Sequence, residues 1–259
     1  AVHRLARSVY GPGEPALATT LLFATTWETF NQATGKRLDP LFAAFLTVAF
    51  ACFFLGAGGL RRGATRPSLL AAAWLFVALA TLTKGPLAIL FFLLGGGLFA
   101  AWTGRLRVLV SPGSLGGLAL LALLCAVWPA MLGDSLGFEA TLAAYAKKSF
   151  TTRRADILVY VANLPEQGLP WSFFFPALAV ALFRRRATRG SDGLRFFLVW
   201  FLAIFVPLHF SEARHSRYLV PATPALALLL SSLWYPPLAA ADAPAVLSER
   251  LRRAGALLL

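Results

Sequence analysis

The sequence predicts an all-α integral membrane protein, a multi-pass bundle of about eight helical spans. Of its 259 residues, 58% are hydrophobic and 14% are charged, whereas a soluble domain carries about 25% charged residues. The mean hydropathy is +0.70. A helix that crosses a bilayer needs about 20 mostly apolar residues. Apolar runs that approach this length cover 15–31, 41–59, 68–83, 86–103, 114–132, 171–183, 196–210 and 218–235.

The charged residues between these runs predict how the bundle is oriented. Alternate loops such as RRGATR and FRRRATRGSDGLR are rich in arginine and poor in acids. The positive-inside rule therefore places these loops in the cytoplasm. The net charge of +13 fits this orientation and affinity for anionic lipid, and we expect no nucleic-acid partner because no basic face exists outside the loops.

The opposite, extracytoplasmic side is chemically richer and is where we expect a site. It carries all four lysines, together with acids, histidines and aromatic residues. The alternative is that these residues are ordinary solvated loop ends. The domain prediction is a transmembrane unit over 1–235, with an extracytoplasmic interfacial segment at 133–170, followed by a tail at 236–259 that starts a further segment.

The interfacial segment contains the stretch AYAKKSFTTRRADI. Apolar and charged residues alternate too often here for a lipid-facing span, so helices lying on the membrane surface fit better. Four cations fall within eight residues: Lys147, Lys148, Arg153 and Arg154. They predict a phosphate-binding stripe, or nonspecific contact with anionic headgroups. Trp171, which follows, is first a residue of the interfacial aromatic belt and second a sugar-stacking residue.

Two charged residues stand at predicted helix ends on the same side. Asp39, followed by Pro40, is either a helix N-cap or a carboxylate at the membrane surface that acts as a general base or holds a divalent cation. Lys84 precedes Gly85 and Pro86, a pair that ends one helix and begins another. Lys84 is either a lysine that reaches to lipid headgroups or a point charge for a lipid phosphate.

A divalent metal ion is the one cofactor for which the sequence offers candidate ligands. His209, Glu212 and His215 follow one another at a spacing of three, but residues i and i+6 share a helical face poorly. Cys52 and Cys125 each lie inside an apolar run, as buried packing cysteines do. No nucleotide-binding loop and no zinc-protease or hydrolase motif is present.

Four segments in order resemble the membrane glycosyltransferases that use polyprenyl-phosphate sugars. They are the GEPALATTLLFATTWETFNQATGKRLDPLFAAFLTVAF run with its Asp-led helix, the Lys-Gly-Pro of ATLTKGPLAILFFLL, the Leu-Pro-Trp of LPEQGLPWSFFFPAL, and the Arg-x-x-x-Tyr-x-x-Pro-x-x-Pro of RHSRYLVPATPALALLL. The resemblance covers most of the chain and is closest to the bacterial branch with the aminoarabinose transferases and protein O-mannosyltransferase-like enzymes (glycosyltransferase family 39-like).

The resemblance implies a GT-C fold and an enzyme that transfers a sugar, with inversion, from a polyprenyl phosphate. The acceptor would be an extracytoplasmic lipid A-like glycolipid, protein or cell-envelope glycan, and the enzyme would lie in the bacterial inner membrane. Asp39 matches the family's second acidic position, and Lys84 matches its Lys-Gly-Pro lysine. The expected roles are Asp39 as catalytic base, a group of cations as donor-phosphate ligands, and a group of site-lining residues. The cations are Lys84, Lys147, Lys148, Arg153, Arg154 and Arg217, and the site-lining residues are Glu28, Trp171 and Tyr218. The run 86–103, rich in Phe and Leu, is the expected groove for the polyprenyl tail.

The chain departs from the family at two points. The family's first extracytoplasmic loop carries an acidic motif, and the chain begins about where the third helix is expected, so we expect an N-terminally truncated fragment that is inactive by itself if that acid is essential. The family's His and Arg before the interfacial Phe are replaced by AKKSF. The alternatives to a transferase are a lipid or solute transporter, which ionisable residues within the spans and inverted repeats would indicate, and a noncatalytic assembly subunit.

Overall fold

The computed structural model describes residues 1–35, 37–59, 65–136, 159–183, 191–210 and 215–238, without the side chains of 127–136 and 216. Within these ranges the chain forms helices and turns and no strand. The α-helices are α1 (Val2–Tyr10), α2 (Glu14–Ala24), α3 (Trp27–Thr34), α4 (Asp39–Gly56), α5 (Pro67–Lys84), α6 (Leu87–Trp102), α7 (Pro112–Leu136), α8 (Val159–Gln167), α9 (Phe175–Phe183), α10 (Asp192–Leu208) and α11 (Thr223–Ser231). Short 3-10 turns cover Leu106–Val108, Trp171–Phe174 and Ser216–Ala222.

The helices pack side by side in a bundle. Helix α5 packs between α4 and α7, α6 packs against α10, and α11 packs against both α10 and α2. Prolines begin the helices where the sequence indicates: Pro40 and Pro67 occupy first-turn positions, and Pro86 is the residue before α6. A proline is tolerated there because its missing N–H has no partner within the helix. Consequently the start of α4 and the end of α5 meet at one end of the bundle.

The all-α prediction is confirmed, and two of the predicted spans meet the length criterion. Helices α4 and α5 have 18 residues each and are long and apolar enough to cross a membrane. Shorter apolar helices cover Leu87–Trp102, Pro112–Ala126, Trp171–Phe183 and Arg217–Ser231. The number of eight spans stays a prediction.

The predicted span 15–31 is wrong as a single helix, because the structure divides it into α2 and α3. Thr25 and Thr26 turn their hydroxyls back onto the carbonyls of Leu21 and Leu22, at 2.6 and 2.7 Å. Such bonds compete with the helical ladder and bend or end helices. The Trp27 N–H, free of the ladder, donates to the Leu169 carbonyl at 2.7 Å.

Aromatic side chains fill the centre of the bundle. Phe50 of α4 contacts the rings of Phe92, Phe196 and Trp200, with its centroid 4.8 Å from that of Trp200. Ring pairs at such separations stabilise a core beyond the area that they bury. The phenylalanines of the run 86–103, expected to line a groove for the polyprenyl tail, lie in this core, with Phe91, Phe92 and Phe99 all buried. The exposed large apolar side chains of the run are Leu90, Leu93, Leu98 and Trp102.

Gly95 permits the close approach of α6 to α4, which leads to a first prediction. A Cβ at Gly95 would lie 2.6 Å from Phe50 Cε1, whereas a Cβ at Gly97 meets nothing within 4 Å. Overpacking a full core costs about 1–3 kcal/mol, so Gly95→Ala is expected to lower the thermal unfolding temperature in detergent. Gly97→Ala, the matched control, is expected to leave it unchanged or raise it, because Gly costs about 0.5–1 kcal/mol relative to Ala in a helix. Equal effects of the two substitutions would contradict this packing.

Candidate functional site

One end of the bundle brings together four of the residues predicted for the site. Asp39 begins α4 and Lys84 ends α5, and the Lys84 ammonium donates to Asp39 Oδ1. Arg217, at the start of the Ser216–Ala222 turn, places its Nε 3.8 Å from Asp39 Oδ2. The fourth residue is Tyr218. We call these four residues the ion cluster.

Tyr218 provides an aromatic face for both cations of the ion cluster. Lys84 Nζ lies 4.2 Å from the Tyr218 ring centroid and 5.6 Å from that of Phe42. The Arg217 guanidinium carbon lies 5.6 Å from the Tyr218 centroid. Cations within about 6 Å of a ring face are attracted by its quadrupole. The ring and the carboxylate together hold Lys84 and Arg217 side by side.

The helix-cap interpretation of Asp39 is corrected by one position. Leu38 is the N-cap of α4, and no side chain caps the helix; Asp39 is the first helical residue. Its carboxylate still favours the positive end of the helix dipole, but its bonds are to Lys84 and Arg217. These bonds join three elements that are far apart in the sequence.

The ion cluster carries two positive charges and one negative charge, and it is partly open. The exposed fractions of the side chains are 24% for Lys84 and 29% for Arg217, against 11% for Asp39. The cations therefore face outward while the carboxylate lies beneath them. Two cations held in advance, with partial access, suit an anion such as a phosphate monoester or diester.

Glu28 lies on the neighbouring helix α3, and Trp171 lies beside the start of that helix. Glu28 is buried, and Gln32 Nε2 donates to its Oε1 at 2.9 Å. Trp171 donates from Nε1 to the Thr25 hydroxyl at 3.0 Å, so it is tied to the break between α2 and α3. Glu28 therefore belongs to an element beside the ion cluster, since α3 packs against α4 and against the Ser216–Ala222 turn.

The remaining predicted site residues are placed apart or lie outside the described residues. His209 packs its ring against Tyr160 and Phe205, with its Nδ1 2.7 Å from the Phe205 carbonyl oxygen. His215 is exposed and its ring lies next to that of Tyr218. No group of three potential metal ligands exists among the residues that the structure describes, and the metal site stays a prediction. The five predicted residues outside the described part are Lys147, Lys148, Arg153, Arg154 and Glu212.

A second ion cluster at the opposite end of the bundle was missed by sequence reasoning. Asp192 accepts from Arg105 Nη2 at 2.6 Å and from Arg195 Nη1 at 3.1 Å. Arg105 also donates to the carbonyls of Ala57 and Gly59, at 3.3 and 3.0 Å. The only local signal is the i,i+3 pair of Asp192 and Arg195 after Ser191, which caps α10.

Burial changes the pKa of Glu28, a residue that lies outside the two long helices α4 and α5. It raises the pKa of this carboxyl because the charged form loses water; Gln32 lowers the pKa through its hydrogen bond, and Glu166 raises it by like charge. When folding raises the pKa of an acid, the protein loses stability as the pH rises from the unfolded-state pKa through the folded-state pKa of that acid.

We therefore expect Glu28→Gln to stabilise the protein at pH 8 and to have no such effect near pH 3, where the carboxyl is protonated in both states of the parent. Thermal unfolding in detergent at the two pH values measures the difference. Asn31→Ala, at an exposed amide on the same helix, is the control and should show no pH-dependent change. A Glu28→Gln variant that is less stable than the parent at pH 8 would contradict the assignment.

Comparisons with known proteins agree with the fold and with the predicted resemblance. No family model matches the chain. It is 26% identical over 248 residues to undecaprenyl phosphate-alpha-4-amino-4-deoxy-L-arabinose arabinosyl transferase 2 of Pseudomonas fluorescens, across 88% of this chain and 39% of that protein. The crystal structure of ArnT from Cupriavidus metallidurans bound to undecaprenyl phosphate superposes with a TM-score of 0.75 at 24% identity, and its apo state with 0.73 at 23%.

The chain has the ArnT fold. The two superpositions each cover 89% of this chain and 42% of ArnT, so the chain spans about two fifths of the length of the proteins that it matches. The resemblance to polyprenyl-phosphate-dependent membrane glycosyltransferases that the four motifs predict is confirmed. The ion cluster falls on three of those motifs: the Asp-led helix, Lys-Gly-Pro and Arg-x-x-x-Tyr-x-x-Pro-x-x-Pro.

Proposed function

We propose that the protein transfers a sugar from a polyprenyl-phosphate donor to an extracytoplasmic acceptor in the bacterial inner membrane. The observation that carries the proposal is the convergence of Lys84 and Arg217 on Asp39, open to one end of a bundle with the ArnT fold. ArnT from Cupriavidus metallidurans binds undecaprenyl phosphate in its crystal structure. The membrane unit over 1–235, its eight spans and the interfacial segment at 133–170 belong to the same proposal.

In the proposed reaction the bond between the sugar's anomeric carbon and the phosphate oxygen breaks. The phosphate leaves with the electron pair and a second negative charge, and Lys84 and Arg217 stabilise that charge because they are already in place. An acceptor oxygen or nitrogen attacks the anomeric carbon from the opposite face and gives its proton to a base. The products are polyprenyl phosphate and a glycosylated acceptor with inverted configuration.

Two roles are proposed for Asp39, and one variant separates them. As general base, the role predicted from the sequence, Asp39 would take the acceptor's proton. As positioning residue, it would hold Lys84 and Arg217 in place, a role that the ion pairs favour because both carboxylate oxygens already face cations. Asp39→Asn is expected to weaken binding of undecaprenyl phosphate if the carboxylate positions the cations. It is expected to leave that binding unchanged and abolish transfer alone if the carboxylate serves as base.

The test of the function uses the protein expressed from its complete natural reading frame and purified in detergent. Release of polyprenyl phosphate is measured from a pool of lipid-linked sugars, with and without an extract of envelope glycolipids, proteins and glycans as acceptors. Release by the parent and its loss in Lys84→Met are the expected results. No release from any donor would overturn the proposal and favour a transporter or a noncatalytic assembly subunit.

A further inference from the structure

A cavity lies at the end of the bundle that carries the second ion cluster, and the reaction above does not use it. Its volume is about 340 Å³, within the range of about 300–1,000 Å³ that small-molecule sites occupy. It lies between the end of α4, the start of α5 and the Leu106–Val108 turn that follows α6. The residues that line it include Thr65, Thr103, Gly104, Arg105 and Arg107. We call this cavity the arginine pocket.

Arg105 is the more buried of the two arginines in the arginine pocket, and its guanidinium is held in place. It donates to the carbonyls of Ala57 and Gly59 and to Asp192, and its side chain is 13% exposed. A guanidinium has five N–H donors, so these three bonds leave at least two donors for a ligand. Gly104 beside it has φ +71°, and a Cβ there would meet nothing within 4 Å. The pocket therefore has a fixed cation with open space next to it.

Arg107 is the exposed cation of the arginine pocket. It lies in the Leu106–Val108 turn and forms no ion pair with any residue that the structure describes. Thr65 is also exposed and adds a hydroxyl, whereas the Thr103 hydroxyl donates to the Phe99 carbonyl at 2.8 Å. A guanidinium suits a phosphate because two of its N–H groups donate to two phosphate oxygens at once. The lining therefore favours a phosphate ester.

The charge around the arginine pocket stays positive when the neighbouring charged groups are included. The second ion cluster has two arginines for one acid, Asp192. Arg107 and Arg66, which is exposed directly before α5, add two further positive charges. The segments before α5 and α10 that lie outside the described residues contain six arginines and no acid by sequence. Glu14, the acid at the start of α2, is not among the described lining residues.

An apolar rim beside the arginine pocket favours a lipid over a soluble anion. Trp102, Leu106 and Val110 expose 49%, 56% and 66% of their surface, and the Arg195 guanidinium carbon lies 5.8 Å from the Trp102 ring centroid. Helices α4 and α5, both long enough to cross a membrane, have the ion cluster at one end and the arginine pocket at the other. In a membrane the pocket would lie at the boundary where tryptophan and arginine contact lipid headgroups.

We propose that the arginine pocket binds the phosphodiester headgroup of an anionic glycerophospholipid, whose acyl chains lie along the apolar rim. Arg107 and Thr65 donate to the phosphate oxygens, and Arg105 supplies its fixed charge from the more buried side. The inference goes beyond the proposed function, because it needs the bundle to lie in a membrane but does not need sugar transfer. A lipid that binds only the folded state stabilises that state, so this lipid would hold the ends of α4, α6 and α10 together.

Direct binding to the detergent-purified protein, from its complete natural reading frame, tests the arginine pocket. The probes are phosphatidylglycerol, zwitterionic phosphatidylcholine and the deacylated headgroup glycerophosphoglycerol. The salt concentration is about 0.15 M, where exposed charges more than about 8 Å apart are largely screened. Binding affinity and the rise in unfolding temperature are measured for the parent, Arg107→Gln and Arg7→Gln. Arg7 is the matched control, because it is exposed on α1 at the same end of the bundle and is not among the described lining residues.

We expect the parent to bind phosphatidylglycerol at least about tenfold more tightly than either other probe, as a charged hydrogen bond provides. Phosphatidylcholine brings a cation that the arginines repel, and the deacylated headgroup lacks the chains. Arg107→Gln should lose the preference and the rise in unfolding temperature, whereas Arg7→Gln should keep both. Lys84→Met should bind phosphatidylglycerol as the parent does, and Arg107→Gln should bind undecaprenyl phosphate as the parent does.

Three results would overturn the site. Equal binding of phosphatidylglycerol and phosphatidylcholine by the parent would show that the pocket does not select an anionic lipid. Equal weakening by Arg7→Gln and Arg107→Gln would show a general attraction between basic protein and anionic lipid. Binding of the deacylated headgroup as tightly as the lipid would make the ligand a soluble phosphodiester. Each result can occur while the parent releases polyprenyl phosphate from lipid-linked sugars, so failure of the pocket is distinguishable from failure of the proposed function.

Discussion

Replacement of Lys84 by methionine is expected to lower turnover of a lipid-linked sugar by about 10²-fold or more, the loss that follows removal of one preorganised donor to a developing negative charge. The same change removes the hydrogen-bonded partner of Asp39. Because Asp39 is only 11% exposed and Arg217 remains 3.8 Å away, the partly buried carboxylate is left with one distant cation. We expect a loss of roughly 1–2 kcal/mol of stability, less than for a fully buried pair because solvent screens this one.

The double variant Asp39→Asn with Lys84→Met separates the two effects. Removing both charges leaves no unpaired carboxylate, so stability should recover most of the loss, while turnover should stay low because the phosphate ligand is absent. Thermal unfolding and release of polyprenyl phosphate are measured on the parent, both single variants and the double variant. Recovery of turnover in the double variant would show that Lys84 serves only to neutralise Asp39.

The second large effect is expected at the other end of the bundle, where Arg105→Ala should destabilise the protein by about 3 kcal/mol. The substitution leaves Asp192, which is 10% exposed, with Arg195 as its one ion-pair partner among the described residues, and it removes the Nη1 group that donates to the carbonyls of Ala57 and Gly59. The end of α4 and the start of α10 would lose their shared partner. Thermal unfolding in detergent, compared with Arg107→Ala at an exposed position two residues away, measures the effect.

The Arg105 variant should still bind undecaprenyl phosphate at temperatures where it is folded, because Arg105 and the ion cluster lie at opposite ends of α4. A loss of binding without a loss of stability would contradict the purely structural role. An Arg107→Ala variant as unstable as Arg105→Ala would show that charge alone, and not the bonds of Arg105, stabilises this end.

Much of the ion cluster could be predicted from the sequence because helix ends are marked by local chemistry. Pro40, Gly85 and Pro86 place Asp39 and Lys84 at helix ends. Two consecutive spans run in opposite directions, so the end of α5 returns to the start of α4. The prediction that both residues lie on one side required only this alternation. Their direct bond required the packing of α5 against α4, and the addition of Arg217 required the packing of the Ser216–Ala222 turn against α4.

Other features depend on contacts that no local pattern indicates. Arg105 and Asp192 are 87 residues apart and pair only because α6 packs against α10. The break between α2 and α3 depends on two threonines, which are otherwise tolerated in apolar helices, and on the Leu169 carbonyl. The N-terminal helix α1 was missed because its apolar residues, Val2, Leu5, Ala6 and Val9, cover one narrow face and do not form a continuous apolar run.

Binding of undecaprenyl phosphate to the purified protein tests the central claim most directly, that Lys84 and Arg217 form the phosphate site. The account predicts that the parent binds this lipid and that Arg217→Gln weakens binding at least about tenfold, the loss of one charged hydrogen bond. Arg107→Gln, an arginine at the opposite end of the bundle, should bind as the parent does. Equal affinity of the parent, Arg217→Gln and Lys84→Met would contradict the account and place the lipid phosphate elsewhere.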